Sequence, residues 1–128
     1  MEKREYAVEL KHGGHNCCQA VIAAYADKLE LPVELLDRMA ATFGGGMATM
    51  AGSCGALCGA QMVLGLMRFE GRPLRRQARA LTEAFESKAG AIRCRDLKGI
   101  DTGTVLTGCD DCVRFAVDAL EAALEAEG

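Results

Sequence analysis

Apolar residues recur along most of this chain at the three- and four-residue spacing that places them on one face of a helix. This pattern predicts helices over residues 3–11, 17–29, 33–43, 53–68, 74–88 and 110–126. Residues 90–108 lack the period, and we predict a loop with one short turn there. No segment combines strand alternation with hairpin turns. We therefore expect a single domain over residues 1–128, an all-α compact bundle of five or six helices.

Residues that start and end helices support these boundaries. Asn16 is a suitable N-cap for the second predicted helix, and Ser53 for the fourth. Pro32 marks a boundary before the third helix, and Pro73 suits the first turn of the fifth. The third helix is predicted to turn these residues inward: Leu35, Leu36, Met39 and Phe43.

No charged residue occurs between Arg38 and Arg68, which raises the question of a membrane span. The run Gly44-Gly45-Gly46 would break a helix in the middle of this stretch. We interpret the stretch as two buried segments joined by a glycine loop and expect no membrane insertion. Its apolar, glycine-rich part, residues 39–67, could support a homodimer.

Charge and composition exclude some classes of function. The net charge is −3, basic residues are scattered among acidic ones, and tryptophan is absent. A nucleic-acid-binding surface usually needs a basic patch and stacking aromatics, so we expect no nucleic acid partner. The N-terminus shows no secretory signal, which favours a cytoplasmic location. No GxGxxG or phosphate loop is present, so we expect no nucleotide cofactor.

Seven cysteines stand out in this composition. An odd number excludes complete internal pairing, and in a reducing cytoplasm clustered cysteines usually bind metal or carry out redox chemistry. Cys17 and Cys54 fall at predicted helix starts, and Cys109 and Cys112 flank a third. A helix N-terminus lowers the pKa of a thiol and so favours thiolate, the form that attacks disulfides and binds metal.

Cys94 lies between Arg93 and Arg95, which also favours its thiolate. Cys109-Asp-Asp-Cys112 is a C-x-x-C motif, although the βαβ pattern of thioredoxin-like proteins is missing. Val113 follows this motif where covalent haem attachment needs histidine, which excludes covalently attached haem, and we expect no haem cofactor. Cysteines from several helices could instead converge on an iron–sulfur cluster, which takes four thiolates, or on zinc.

Several motifs together resemble the C_GCAxxG_C_C family of redox-active proteins. They are Asn16-Cys17-Cys18-Gln19-Ala20-Val21, Phe43-Gly44-Gly45-Gly46-Met47, Cys54-Gly55-Ala56-Leu57-Cys58-Gly59-Ala60, Cys94-Arg95-Asp96-Leu97 and Cys109-Asp-Asp-Cys-Val113. The resemblance runs from about Glu5 to Leu124. It implies that Cys17, Cys54, Cys94 and Cys109 are the characteristic cysteines, with Cys112 competing for the fourth place. A related domain of split-Soret cytochrome c is suspected to hold an iron–sulfur cluster.

Three functions follow as alternatives. In the first, Cys17, Cys54, Cys94 and Cys109 hold a cluster, [2Fe–2S] or else zinc, for electron transfer or sensing with an unidentified redox partner protein. In the second, the protein is a thiol–disulfide oxidoreductase or redox sensor, and Cys109 and Cys112 are the catalytic pair. In the third, the cysteines are purely structural.

Overall fold

The computed structural model describes residues 1–126 and consists of helices joined by loops. Eight α-helices follow one another in the described part: α1 Lys3–His12, α2 Cys17–Ala24, α3 Ala26–Leu29, α4 Val33–Ala40, α5 Gly55–Arg68, α6 Arg75–Ala89, α7 Cys94–Leu97 and α8 Cys109–Ala126. Six of them have eight or more residues, and α3 and α7 are single turns. The all-α prediction is confirmed.

Two predicted helices are shorter than the hydrophobic pattern indicated. The helix predicted over 17–29 is interrupted at Tyr25, whose φ of −105° and ψ of 7° end α2 before α3 begins. The helix predicted over 33–43 ends at Ala40. Leu35 and Met39 were expected to point inward but are 45% and 44% exposed, so α4 buries a narrower face than we predicted.

The core forms around α2, which packs against α1, α4, α5 and α8. Helix α8 packs against α1, α5 and α6 and closes the bundle. Large side chains from these helices are fully buried in one continuous cluster, among them Tyr25, Leu64, Phe85 and Leu120. Burial of each such side chain contributes about 1.5–3 kcal/mol relative to exposure, so this cluster fixes the relative positions of the helix starts.

Helix α5 can approach α2 closely because it carries small residues at the contact. A Cβ added to Gly59 would lie 2.8 Å from the backbone oxygen of Cys18, and one added to Gly55 would lie 2.7 Å from that of Phe43. Glycine in a helix costs about 1 kcal/mol relative to alanine. The close packing of α5 on α2 is the physical reason why glycine is present despite that cost. The same packing brings the start of α5 beside the start of α2.

Candidate functional site

Five cysteines from four different helix starts line one small cavity of about 40 Å³. Its lining, which we call the thiol cavity, consists of Cys17, Gly45, Cys54, Gly55, Cys94, Lys98, Cys109 and Cys112. The four cysteines implied by the family resemblance are therefore neighbours in space, and Cys112 lies with them.

Cys17 is held by the cap of α2. The Asn16 side chain accepts a hydrogen bond from the Gln19 backbone N–H at 2.8 Å, and the Gln19 side chain accepts one from the Asn16 backbone N–H at 2.8 Å. The Asn16 amide also donates to the Ala40 carbonyl at 3.2 Å, which ties this cap to the end of α4. The predicted N-cap is confirmed, and it makes Cys17 the first residue of α2.

The segments that contain Cys54 and Cys94 are joined by backbone hydrogen bonds. The Cys54 N–H donates to the Ile92 carbonyl at 2.7 Å, and the Cys94 N–H donates to the Gly52 carbonyl at 3.0 Å. This pairing brings together two segments that are 40 residues apart in the chain. Ser53 does not cap α5 as predicted, because Cys54 itself occupies the N-cap position and Gly55 begins the helix.

The glycine loop after α4 packs against the paired segments that contain Cys54 and Cys94. Gly46 has a φ of +61°, and a Cβ at this position would lie 2.8 Å from Cys94 Cβ and 2.9 Å from the Gly52 carbonyl oxygen. Both the backbone conformation and the close contact require glycine here. The glycine run that interrupts the uncharged stretch therefore forms part of the wall around the thiol cavity.

Cys109 and Cys112 occupy the first turn of α8 in different environments. Cys109 is exposed, whereas Cys112 is 1% exposed. The loop before α8 is held by Thr107, whose hydroxyl donates to the Ala89 carbonyl at 2.6 Å. Cys112 Sγ lies 3.8 Å from the Thr107 carbonyl oxygen. Cys109 is thus the member of the C-x-x-C pair that solvent and partners can reach.

For two of the five cavity thiols, Cys17 and Cys94, burial raises the pKa despite their position at a helix start. It is the largest cause of the raised pKa values of Cys17 and Cys94, contrary to our expectation that helix starts and flanking arginines favour thiolates. Arg93 and Arg95 are engaged by Asp96 and Asp101 at 2.9 and 2.7 Å and do not line the cavity.

The pKa values of Cys54 and Cys112 shift in opposite directions. Donation from the Cys54 thiol to Cys112 is the largest cause of the raised pKa of Cys54 and of the lowered pKa of Cys112. Lys98 adds to the second effect, because its Nζ lies 3.5 Å from Cys112 Sγ. Of the two, Cys112 is therefore the sulfur that loses its proton more readily, and Cys54 is the one that keeps it more readily.

Lys98 is the positive charge of the thiol cavity and was missed by sequence reasoning. Its Nζ donates to the Thr107 carbonyl at 3.3 Å and to Cys112, and it forms no ion pair with a carboxylate among residues 1–126. Burial tends to lower its pKa, but the nearby Cys112 and Cys109 outweigh burial and raise it. The signal that could have found it is its spacing of four residues from Cys94, which places both on one side of a helical turn.

Cys18 and Cys58 lie outside the thiol cavity. Cys18 is fully buried in the core, where burial raises its pKa to about 12. Cys58 is half-buried and lines a separate apolar hollow with Phe43 and Ile92. These two side chains act as small apolar groups in the packing.

The side chains of the described residues are not already arranged around a single ion. Within residues 1–126, no group of three or more His, Cys, Asp or Glu side chains has the geometry to hold a metal ion. The chemistry of the lining nevertheless suits soft metals, since thiolates select iron–sulfur clusters, zinc and copper.

No helix in the described part of the chain is both long and apolar enough to cross a membrane. A search of curated proteins and a search of solved structures each found no match. A family model described as "Putative redox-active protein (C_GCAxxG_C_C)" matches residues 15–123. This match spans most of the chain and all seven of its cysteines. The chain therefore belongs to the C_GCAxxG_C_C family of redox-active proteins.

Proposed function

We propose that this protein holds a thiolate-bound redox cofactor, a [2Fe–2S] cluster, with Cys17, Cys54, Cys94 and Cys109 as its ligands. The observation that carries the proposal is that these four side chains line one cavity although they come from four separate helix starts. Four thiolates are the ligand set that such clusters require. When bound, the cluster would supply one-electron transfer, for delivery to a partner or for redox sensing.

The backbone around the sulfurs supports this assignment. N–H groups of Ala56 and Leu57 hydrogen-bond Cys54, and those of Gly45 and Cys18 hydrogen-bond Cys17; each of these bonds acts to lower the pKa of the thiol. Such bonds also stabilise negative charge on cluster sulfurs and tune the reduction potential. They fit a site in which sulfur is an anion in the loaded state.

Access to the cavity also fits electron transfer. Cys109 is the exposed member of the five cavity cysteines, whereas Cys54, Cys94 and Cys112 are buried. We infer that a redox partner protein would approach at Cys109. The buried remainder would protect the cofactor from water and oxidants.

A second candidate is thiol–disulfide chemistry, and the hydrogen bond between Cys54 and Cys112 favours it. In that reaction, the first turn of α8 would have to open to expose the buried Cys112, whose thiolate would attack a substrate disulfide and displace a thiolate. Cys54 would then attack the Cys112 sulfur, forming an internal disulfide and releasing the second thiolate of the substrate. Two electrons would pass to the substrate, and the Cys54 proton would leave with them. This pairing differs from the Cys109–Cys112 pair predicted from the C-x-x-C motif.

Anaerobic purification, followed by an absorption spectrum and metal analysis, tests the proposal. We expect charge-transfer bands between about 320 and 460 nm and near-stoichiometric iron and sulfide. Single Cys→Ser variants at Cys17, Cys54, Cys94 and Cys109 should each lose the cluster. Cys58→Ser is the matched control, because Cys58 is a half-buried cysteine outside the cavity, and it should keep the cluster.

The variant Cys112→Ser separates the two candidates. A cluster held by the other four cysteines survives this change, whereas disulfide chemistry of the Cys54–Cys112 pair is abolished by it. Colourless protein that contains neither iron nor zinc after anaerobic reconstitution would overturn the cofactor proposal. Stoichiometric zinc with no iron would replace the cluster with a zinc site.

A further inference from the structure

Four neighbouring arginines at the turn between α5 and α6 have no ionic partner in the described part of the chain. They are Arg72, Arg75, Arg76 and Arg79, all exposed, and together we call them the arginine surface. Every arginine outside the stretch 68–79 lies within ion-pairing distance of a carboxylate: Arg4, Arg38, Arg93, Arg95 and Arg114. Arginines elsewhere on the molecule are therefore paired with carboxylates, and the arginine surface is an exception.

Arg75, Arg76 and Arg79 lie in α6, where their placement works against the stability of the helix. Helix α6 begins at Arg75, has no acidic residue in its first turn and has no side-chain cap. Cations at the positive end of a helix dipole are unfavourable, and Arg75 and Arg79 repel each other at a spacing of four residues. Helix α8 shows the opposite, stabilising arrangement, with Asp110 and Asp111 in its first turn.

The shape and chemistry of the surface fit carboxylates presented by a protein. Arg75, Arg76 and Arg79 line one hollow of about 310 Å³, and Arg72 contributes to a second of about 290 Å³. Guanidinium groups bind carboxylates through paired, planar hydrogen bonds. Phe69 begins the same turn and is 65% exposed, and aromatic residues with arginine are enriched at protein interfaces.

The remaining charges disfavour a nucleic acid at this position. Exposed acidic residues border the surface at Glu70, Glu83 and Glu86, and the isoelectric point of the chain is about 5.4. A nucleic-acid-binding domain usually has an isoelectric point above about 9 and a basic stripe long enough to follow many phosphates. From Arg75 to Arg79, the helix rises only about 6 Å.

We propose that the arginine surface docks an acidic segment of a partner protein. The inference is independent of the cofactor, because α5 separates the two places. Its first residue, Gly55, lines the thiol cavity and its last, Arg68, lines the second hollow, and a helix of 14 residues is about 20 Å long. A partner held here leaves Cys109 free for electron exchange.

The test measures binding of a fluorescein-labelled oligoglutamate peptide with one central phenylalanine, by anisotropy at low salt. The test variant is Arg75→Glu combined with Arg79→Glu. The matched control is Lys28→Glu combined with Arg38→Glu, two exposed cations on other helices whose reversal changes the net charge equally. We expect the test variant to weaken binding about tenfold or more and the control to change it less than about twofold.

Loss of folding is not expected to confuse this result, because glutamate at position 75 lies in the first turn of α6, where a negative charge stabilises the helix. A peptide with glutamine in place of glutamate should bind more weakly, and salt should weaken the glutamate peptide. Equal loss in the test and control variants overturns the proposal. Tighter binding of a DNA duplex than of the glutamate peptide also overturns it and assigns the surface to nucleic acid.

Discussion

Replacing Gly55 by alanine tests how the thiol cavity is built. A Cβ at this position would lie 2.5 Å from Cys17 Sγ and 2.7 Å from the Phe43 carbonyl oxygen. The sulfur belongs to a side chain that can rotate, but the carbonyl belongs to the backbone and can move only with the loop. The added methyl group must therefore displace both Cys17 and the loop that leads to the glycine run.

The expected magnitude follows from two opposing effects. Alanine is favoured over glycine within a helix by about 1 kcal/mol, and less in the first turn. Overpacking of a close contact costs about 1–3 kcal/mol. We expect Gly55→Ala to lower the free energy of unfolding by about 1–2 kcal/mol. Gly65→Ala, in the same helix with open space around its Cβ, should raise it by about 0.5–1 kcal/mol.

Urea unfolding of the reduced proteins, followed by circular dichroism, measures this difference. The same two variants should also be reconstituted with iron and sulfide. Gly55→Ala moves Cys17 Sγ and should therefore incorporate less cluster, whereas Gly65→Ala should incorporate as much cluster as the wild type. If Gly55→Ala were as stable as Gly65→Ala, the contact with the Phe43 carbonyl would not exist as described. Normal loading of Gly55→Ala would show that Cys17 is not a ligand or that its position is not critical.

Three further predictions concern the surroundings of the cavity. Lys98→Met should raise the pKa of Cys112 and slow its alkylation at neutral pH several-fold, as measured by mass spectrometry, while Lys98→Arg should restore the rate. Thr107→Val removes the buried hydrogen bond to the Ala89 carbonyl and should cost about 1–2 kcal/mol in urea unfolding. Asp110→Asn removes the ion pair with Lys11 Nζ at 3.1 Å. It should cost up to about 0.5 kcal/mol at pH 7, because both side chains are partly exposed to solvent. The pKa of Asp110 is lowered in the folded state, so its contribution is present above about pH 4 and is lost as the pH falls further, and the difference between wild type and variant should vanish in acid.

Much of the fold could be predicted because the helices carry a regular apolar period. The period located α1, α5, α6 and α8 to within two residues, since each buries one continuous face. It extended the second helix too far, because Tyr25 continues the apolar face while its backbone leaves the helix. Periodicity records which side chains are buried and does not record where the backbone turns.

The thiol cavity was less predictable, because its members are joined by contacts distant in sequence. Spacing could nominate Cys17, Cys54, Cys94 and Cys109, but it could not show the backbone pairing of Cys54 with Ile92 or the approach of Lys98. For Cys17 and Cys94, the expected lowering of the thiol pKa was wrong, because burial raises it instead. A helix start favours a thiolate by about 1 kcal/mol, whereas full burial can disfavour it by several times that amount.

This balance suggests how one set of residues can serve both the core and the site. Cys54 and Cys112 belong to the same continuous buried cluster as Tyr25 and Phe85, so in the reduced protein without a cofactor they pack as part of the core. The fold is therefore expected to form without metal, unlike a zinc finger, whose folding energy comes from its ion. Because Cys17, Cys54 and Cys94 have raised pKa values, loading a cluster must displace their protons, so acid should favour release of the cofactor while the helices remain folded.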